Sequence, residues 1–592
     1  MQTGDSEQSF TAANILSRLR AVAVSGGLHI VLLACLVGAF AGVAVTILSN
    51  LSFLLHRHLF SLSVDVRLSG LLELSDPLDA LVPVAGGLLM GISIWLLRRF
   101  RNRSLVDPIE ANALFGGRLS IADTLIVAGQ TVLSNGFGAS VGLEAAYTQT
   151  GAGFASSLAR TFNLRRNDVR TLVGCGAAAA IAAAFGAPLT GAFYGFELII
   201  GIYSIANVAP VIAAAVSGSL MATQLGAEQF PIEIGFVAPL TPEQYLPFIL
   251  LGVVAGLSSV AIMQLVTLVE RTFVWIKVRQ AFRPVLGGLA VGGLALMTPH
   301  VLSSGHGAMH LFLTNNFALG TVALVFALKL LASAISLGSG FRGGLFFASL
   351  FLGVLLGNMF ATVFGMVVPD LPLQPTTAAV VGMTSLAVGI VGGPLTMTFL
   401  ALEATRDLAI TSVVLAAAIA SSMVVKSIFG YSFSTWRFHL RGETIRGAND
   451  IGWMRNLTVR SMMRTDIRTV PVSMSLDEFR KQFRLGAAQR VIAVDRNGDY
   501  AGMIFVPDAH TASASEDDPT IGTLLRNKNT VLIPLMNAKA AAAIFDREKA
   551  EELPVVEGLK SRKVVGLLTE AHLIRRYSEE LEKAHRDLSG ND

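Results

Sequence analysis

Two short passages about 200 residues apart repeat one another, and each puts a helix start inside a chain otherwise apolar enough for lipid. Residues 138–151 read GASVGLEAAYTQTG and residues 340–353 read GFRGGLFFASLFLG, sharing Gly at 138 and 340, Gly-Leu at 142–143 and 344–345, Ala at 146 and 348, and Gly at 151 and 353. A second pair follows in the same order: APLTGAFYGFE, ending in Glu197, and GPLTMTFLALE, ending in Glu403. The offsets are 202 and 206 residues. Two ordered matches at nearly one spacing mark a duplicated membrane unit, and interrupted apolar segments at corresponding places in two halves point to a transport site.

The 592 residues are 53% hydrophobic and 15% charged, with a mean hydropathy of +0.61, whereas a soluble chain carries about a quarter charged residues. This is the composition of a polytopic membrane protein. Apolar runs near 27–55, 80–97, 206–223, 244–268, 284–302, 318–337, 344–367 and 409–428 approach or exceed the ~20 residues that span a bilayer. The segments near 120–134, 145–159, 171–184 and 188–200 are shorter, broken by Gly, Pro or a lone carboxylate. Such pieces suit tilted or partial helices whose ends line a protein interior, because lipid cannot satisfy them. The abundant Gly and Ala serve helix–helix packing.

The first 25 residues are polar and lack the basic, apolar, small-residue order of a cleaved signal peptide, which predicts a cytoplasmic N-terminus. Basic clusters at 98–103 and 437–446 flank short loops, and the positive-inside rule puts them in the cytoplasm with everything that follows. The expected location is a plasma membrane, the inner one in a bacterium. Cys35 and Cys175 are the only cysteines, so neither a disulfide framework nor a thiolate metal site is available.

After residue 447 charges recur every few positions and no run could span a bilayer. Two similar passages follow, VRSMMRTDIRTVPVSMSLDEFRKQF with RVIAVDRNGDYAGMIFVPDAH, and IGTLLRNKNTVLIPLMNAKAAAAIF with ELPVVEGLKSRKVVGLLTEAHL. Each reads as a short helix, a β-rich stretch, an amphipathic helix and two strands entering a last helix. The pair resembles tandem CBS modules of α/β class, about 456–512 and 518–580. In that family a Gly-x-x-Ser/Thr-x-x-Asp stretch grips adenine nucleotides, the Asp holding ribose. The first copy keeps Gly502 and Asp508 but has Phe505 at the hydroxyl position; the second keeps Gly566 and Thr569 but has His572 at the carboxylate position. The half-kept pattern therefore favours a dimerising scaffold that presses on the membrane part over an adenine nucleotide bound at Asp508 and Thr569.

Together with the duplication, residues 30–442 resemble the CLC family of chloride channels and chloride/proton antiporters. The resemblance implies an all-α polytopic membrane domain with an inverted internal repeat and about 17–18 helices, over 27–446, in halves 27–223 and 244–442. Residues 1–26 would form a cytoplasmic lead and 447–592 the cytoplasmic tail. Against the family's first motif the chain reads SLVDPIEANAL, aligning Pro108, Glu110, Ala113 and Leu114 and putting Leu105, next to Ser104, at the central serine. The second reads GLEAA, keeping Gly142 and Glu144; the third reads GLFFA, keeping Gly344 and Phe346. The fourth lies in YSFSTWRFHLRG, with Ser434 at the tyrosine position and Tyr431 one turn earlier. The motifs have changed at their side chains and kept their backbone.

That combination has a physical reading. An anion crossing a bilayer exchanges its hydration shell for other donors, and a full cation at the site would hold it too tightly for throughput. Helix N-termini offer unpaired N–H groups and about half a positive charge instead. Three helix starts, near 108, 144 and 346, are expected to converge, so the candidate anion ligands are mainly backbone amides around Ser104, Leu105, Pro108, Gly142, Leu143, Ala145, Gly344, Leu345, Phe346 and Phe347, with Ser434 and Tyr431. A carboxylate among small, apolar membrane neighbours is a functional candidate by default. The resemblance makes Glu144 the gating glutamate, occupying the anion's place and leaving when protonated or displaced, so that acid opens the pathway.

Glu197 and Glu403 end the two Pro-Leu-Thr segments at matching places, which favours structural carboxylates that accept bonds from helix ends. The antiporters' internal proton glutamate maps to Leu198, an apolar residue as in the channel-type members. The expectation is therefore a voltage- or pH-gated channel for a monovalent inorganic anion, chloride in the first place, working as a homodimer in the bilayer. It would need no cofactor, metal, catalytic residue or nucleic acid. A chloride/proton antiporter of the same fold is the alternative. Two other classes compete less well: a CBS-regulated divalent-cation transporter, for which the membrane region offers too few carboxylates, and an intramembrane protease built on Ser140, with His306 and His310 in GHGAMH as base or ligands.

Overall fold

Proline starts and glycine stops punctuate the membrane half. The computed structural model describes residues 28–589 except 64–65, 102–103, 228–239, 441–456, 487–489, 513–519 and 559–560. The expected lead 1–26, the end of the second basic cluster and the first residues of the tail lie outside the described residues. The chain forms two compact units, Met1–Asp450 and Ile451–Asp592.

Seventeen α-helices are described in the first unit: α1 (Leu28–Leu59), α2 (Val82–Phe100), α3 (Pro108–Leu114), α4 (Ile121–Gly136), α5 (Glu144–Thr161), α6 (Arg166–Phe185), α7 (Pro188–Tyr194), α8 (Ile205–Gln224), α9 (Tyr245–Trp275), α10 (Arg283–Ala295), α11 (His306–Thr314), α12 (Leu319–Ser339), α13 (Phe346–Val367), α14 (Pro375–Val391), α15 (Pro394–Thr405), α16 (Leu408–Ile428) and α17 (Phe433–Leu440). Pro108, Pro188, Pro375 and Pro394 open helices where the missing N–H is no loss. Gly186, Gly340 and Gly392 close α6, α12 and α14 in the left-handed conformation, at φ 66°, 108° and 92°. Residues 195–200 continue α7 as a π-helical turn.

The packing obeys the duplication. α5 lies on α6 as α13 lies on α14, α1 on α8 as α9 on α16, and α6 on α8 as α14 on α16, while α2 packs on its own counterpart α10. Glycine makes these approaches close: a Cβ on Gly151 or Gly353 would run into the backbone of Gly176 or Gly382, and Gly87 and Gly288 press reciprocally on Pro284 and Pro83. Two length expectations change. The 171–184 segment is a full 20-residue helix, α6, buried continuously from Val169 to Phe185, its alanine-rich face packed on all sides. The 284–302 run is the short helix α10 plus a 3-10 turn at Pro299–Val301. Among the described residues, eight helical segments are long and apolar enough to cross a membrane.

The second unit holds α18 (Val459–Met462), β1 (Thr469–Pro471), α19 (Leu476–Gln482), β2 (Arg490–Val494), β3 (Tyr500–Phe505), α20 (Val506–Thr511), α21 (Ala538–Glu548), β4 (Glu552–Val556), β5 (Val564–Thr569) and α22 (Glu570–Ser589). β1 runs parallel to β2 and β2 antiparallel to β3; β4 and β5 form an antiparallel pair. Val491, Ala493 and Ile504 pack with Phe479 in one core, and Leu553, Val555 and Leu568 with Phe545 in the other.

Candidate functional site

The two repeats meet at their breaks. Gly142 and Gly344 pair as an isolated antiparallel bridge, Gly142 N donating to Gly344 O at 3.0 Å and Gly344 N to Gly142 O at 3.2 Å. Such an exchange between equivalent residues implies a local two-fold, so α5 and α13 begin side by side. Their opening amides have no intrahelical acceptors, and both ends carry partial positive charge.

Glu144, the first residue of α5, reaches across this axis. Its Oε1 accepts from Phe347 N–H, in the first turn of α13, at 2.9 Å. Oε2 is buried without a hydrogen bond among the described residues. The paired glycines leave the space: a Cβ on Gly142 would overlap the carboxylate, and one on Gly344 would stand 3.0 Å from Oε2. The left-handed turns fall instead to Gly138 and Gly340, at φ 83° and 108°.

Beside this carboxylate lies a cavity of about 210 Å³, bounded by Leu105, Pro108, Glu144, Ala145, Gly344, Leu345, Phe346 and Ser434. The starts of α3, α5, α13 and α17 therefore converge. Asp107 caps α3 by accepting from Glu110 N at 2.9 Å and also lines the cavity. A wider vestibule of about 430 Å³ shares Leu105, Gly340, Arg342, Phe433 and Arg437 with it and takes in Ser104. Arg98, Arg101 and Arg283 join Arg342 and Arg437 there against Glu270 as the acid among the described lining residues, and with Arg101 paired to Asp123 the approach is still cationic.

Several side chains lie elsewhere than the motifs suggest. Tyr431 lines neither cavity: it precedes α17, its hydroxyl meets His439 Nδ1 at 3.3 Å, and its ring packs against the stacked Trp436 and His439. Leu143 turns away from the cavity that Glu144 lines, and Gly142 and Phe347 are engaged in the bridge and the Glu144 bond. Tyr194, overlooked in the sequence, lines the cavity 6.1 Å from the Phe346 ring. Its signal was its place in the second repeat, four residues after Thr190. Arg342, in the GFRGG turn, was readable only as part of the repeat.

The Pro-Leu-Thr segments form a second meeting point. Glu197 accepts from Leu395 N at 3.0 Å, Thr396 N at 2.8 Å and Thr396 Oγ1 at 2.7 Å. Glu403 accepts from Leu189 N at 2.8 Å, Thr190 N at 2.8 Å and Thr190 Oγ1 at 2.6 Å. Leu198 packs half-buried against the apolar core. Ser140 is buried against Ser333 and Ser336, and no cluster of three or more His, Cys, Asp or Glu suited to a metal occurs among the described residues.

In the tail, Asp508 pairs with Arg526 at 2.6 Å, and Phe505 lies between the guanidinium groups of Arg490 and Arg526, at 4.7 and 4.8 Å. Thr569 Oγ1 accepts from His572 N at 3.3 Å. Burial, then the positive charges of Arg575, Arg464 and Arg576, holds the His572 imidazole below its usual range.

Residues 86–426 match the model of the voltage gated chloride channel family, more than half of the chain. The chain belongs to that family. Residues 459–509 match the CBS domain. A protein of Ralstonia nicotianae described as ClcB-like is 33% identical over 55% of this chain and 77% of its own length. The voltage-gated ClC-type chloride channel ClcB of Escherichia coli K12 is 28% identical over 68% of this chain and 96% of its own. In fold, the chain is similar to a slow cyanobacterial Cl⁻/H⁺ antiporter (TM-score 0.60, 22% identity, 70% of this chain and 97% of that one). It is similar also to a eukaryotic CLC transporter (TM-score 0.57, 17% identity, 94% and 98%). The protein is thus a multi-pass CLC membrane protein with a CBS tail, from a family of anion channels and transporters rather than enzymes.

Proposed function

We propose that this CLC protein is a channel for a monovalent inorganic anion, chloride in the first place, gated by Glu144. The observation that carries this reading is the bond from Phe347 N–H to Glu144 Oε1. An amide at a helix start, where an anion is favoured, is held by an anion that belongs to the protein. Protonation removes the charge, or an arriving anion displaces it, and the carboxyl swings out. The solute then takes the amide and leaves as the carboxylate returns.

The arginine-lined vestibule is the cytoplasmic mouth, since Arg98 and Arg101 mark the positive-inside end of α2, and both termini lie in the cytoplasm. The neck at Leu105 and Phe433 offers no hydroxyl, so selectivity rests on amides, on Ser434 and on Tyr194. Leu198 has no proton to pass, which favours a channel over tight proton coupling. Like its family, the protein works as a homodimer in a plasma membrane and requires no cofactor. A nucleotide at the tail would first have to break the Asp508–Arg526 pair, so the scaffold role is the stronger one there.

The test is purified protein in chloride-loaded liposomes with proton movement recorded while an anion gradient runs. Anion current without uphill proton movement supports the channel. Uphill proton movement replaces it with an exchanger of the same fold, and absence of flux for any anion removes the reading.

A further inference from the structure

A second, smaller chamber adjoins the same helix start on its other side. Leu143 lines it one residue before Glu144, with His56 of α1, Arg67 of the α1–α2 connection, Asn135 of α4, and Ser304 and His306 at the start of α11, around about 30 Å³. Arg67 precedes α2, whereas Arg98 ends it, so the chamber and the cationic vestibule face opposite sides of the membrane.

Its wall is unusual for the interior of a membrane protein. One guanidinium, that of Arg67, and two imidazoles, those of His56 and His306, line it with the hydroxyls of Ser49, Ser52 and Ser304, and no described lining residue is acidic. Behind the wall the Lys329 side chain of α12 is fully enclosed, its Nζ donating to Val301 O at 3.1 Å and Ser303 O at 2.7 Å. Cations are rarely buried in a membrane domain without a use. This one clamps a turn in which Ser303 adopts φ 53°, a strained value for a residue with a side chain. Ser303 N donates in addition to Gly138 O at 3.2 Å, tying the turn to the first repeat. The clamp fixes the next residues: Ser304 Oγ and His306 Nδ1 share a hydrogen bond, and the His306 ring lies against Phe347, whose amide holds Glu144.

We infer that this chamber is an anion-binding site for a single halide-sized ion, next to the Glu144 seat on the side away from the arginine vestibule. The fixed charge of Arg67, the hydroxyl donors around it and the size of the chamber agree. About 30 Å³ is roughly twice what one water needs, which is enough for a bare halide. Arg67 supplies a forked donor that cannot lose its charge. The ion waits one residue from the gate and moves to the α13 amides when Glu144 leaves them. This purpose rests on the transport reading, whereas occupancy of the chamber can be measured without flux.

The experiment uses the full chain, crystallised in bromide and read by anomalous scattering, with flux in liposomes as the second arm. A bromide peak within reach of Arg67 and His306 is expected, lost in Arg67→Gln while any peak in the larger cavity persists, which also certifies folding. In liposomes Arg67→Gln should raise the half-saturating bromide on the Arg67 side about tenfold, the size of one lost charge-assisted hydrogen bond, with the maximal rate kept. Arg67→Lys, with charge but no fork, should recover part of the loss. A chamber without bromide in crystals whose other halide sites are filled overturns the inference, as does an unchanged half-saturation in Arg67→Gln. Wild-type liposomes that pass no anion would count against the transport reading, and the anomalous peak would still decide the chamber.

Discussion

The repeats touch at two places, and the two places differ. At the Pro-Leu-Thr segments the symmetry is complete: Glu197 and Glu403 each take two amides and a threonine hydroxyl from the opposite half, at 2.6–3.0 Å. At Gly142 and Gly344 the backbone exchange is equally symmetrical, yet α5 opens with Glu144 and α13 with Phe346. Where a helix start needs only an acceptor, both halves supply the same one for good. On the proposed gating reading an ion must come and go at the second place, so one carboxylate serves and its counterpart is apolar, because two would repel each other and fill both seats. On that reading, preserved symmetry marks a joint and broken symmetry a moving part.

The largest effect that could break this contrast is on flux. Wild-type anion flux should rise as pH falls, since acid neutralises Glu144, and Glu144→Ala should be open at every pH; a pH profile that survives the change contradicts the gate. Next comes Gly142→Ala, whose Cβ would occupy the carboxylate's place. It should displace Glu144 and flatten the same profile more than Gly344→Ala does, as liposome flux against pH will report. At the symmetrical joint, Glu197→Gln and Glu403→Gln should each lower stability by about 1–3 kcal/mol, read as matching falls in Tm with flux per folded molecule kept. Unequal losses, or a changed pH profile, would show that this joint too is functional.

The smallest effect sharpens the pH argument by supplying a background. His572 is held below its usual proton affinity, so the folded tail prefers the neutral ring. Its contribution is intact above about pH 6.5 and is lost as pH falls below that toward the lowered folded value. Thermal unfolding of the full chain should show a slight acid loss that His572→Asn removes. This dependence should persist in Glu144→Ala, where that of flux should not.

Much of this was legible because it lies in spacing. The 202-residue offset named both members of the central bridge, and Pro108, Glu144 and Phe346 open α3, α5 and α13 as the Gly and Pro pattern predicts. What spacing cannot carry is the partner across the axis. Nothing in GLEAA says that the acceptor of Phe347 N–H is Glu144, because the bond joins residues 203 positions apart. The length of α6 was hidden by its alanines, which are weakly apolar and become core only through all-round packing. Tyr431 was misjudged since a turn of helix was assumed where the chain is still entering α17. Arg437 read as part of a loop-flanking basic cluster, and nothing in the sequence singled out Lys329, mid-way along the apolar run 318–337, until the fold set it against the carbonyls of Val301 and Ser303.

The most direct test of the central claim is the structure of Glu144→Ala grown in bromide. Once the carboxylate is gone, a halide should occupy its position, within hydrogen-bond reach of the Phe347 amide. If bromide fills other sites in that crystal while this one holds no halide, the protein's own anion and the transported one do not share a seat, and the account fails.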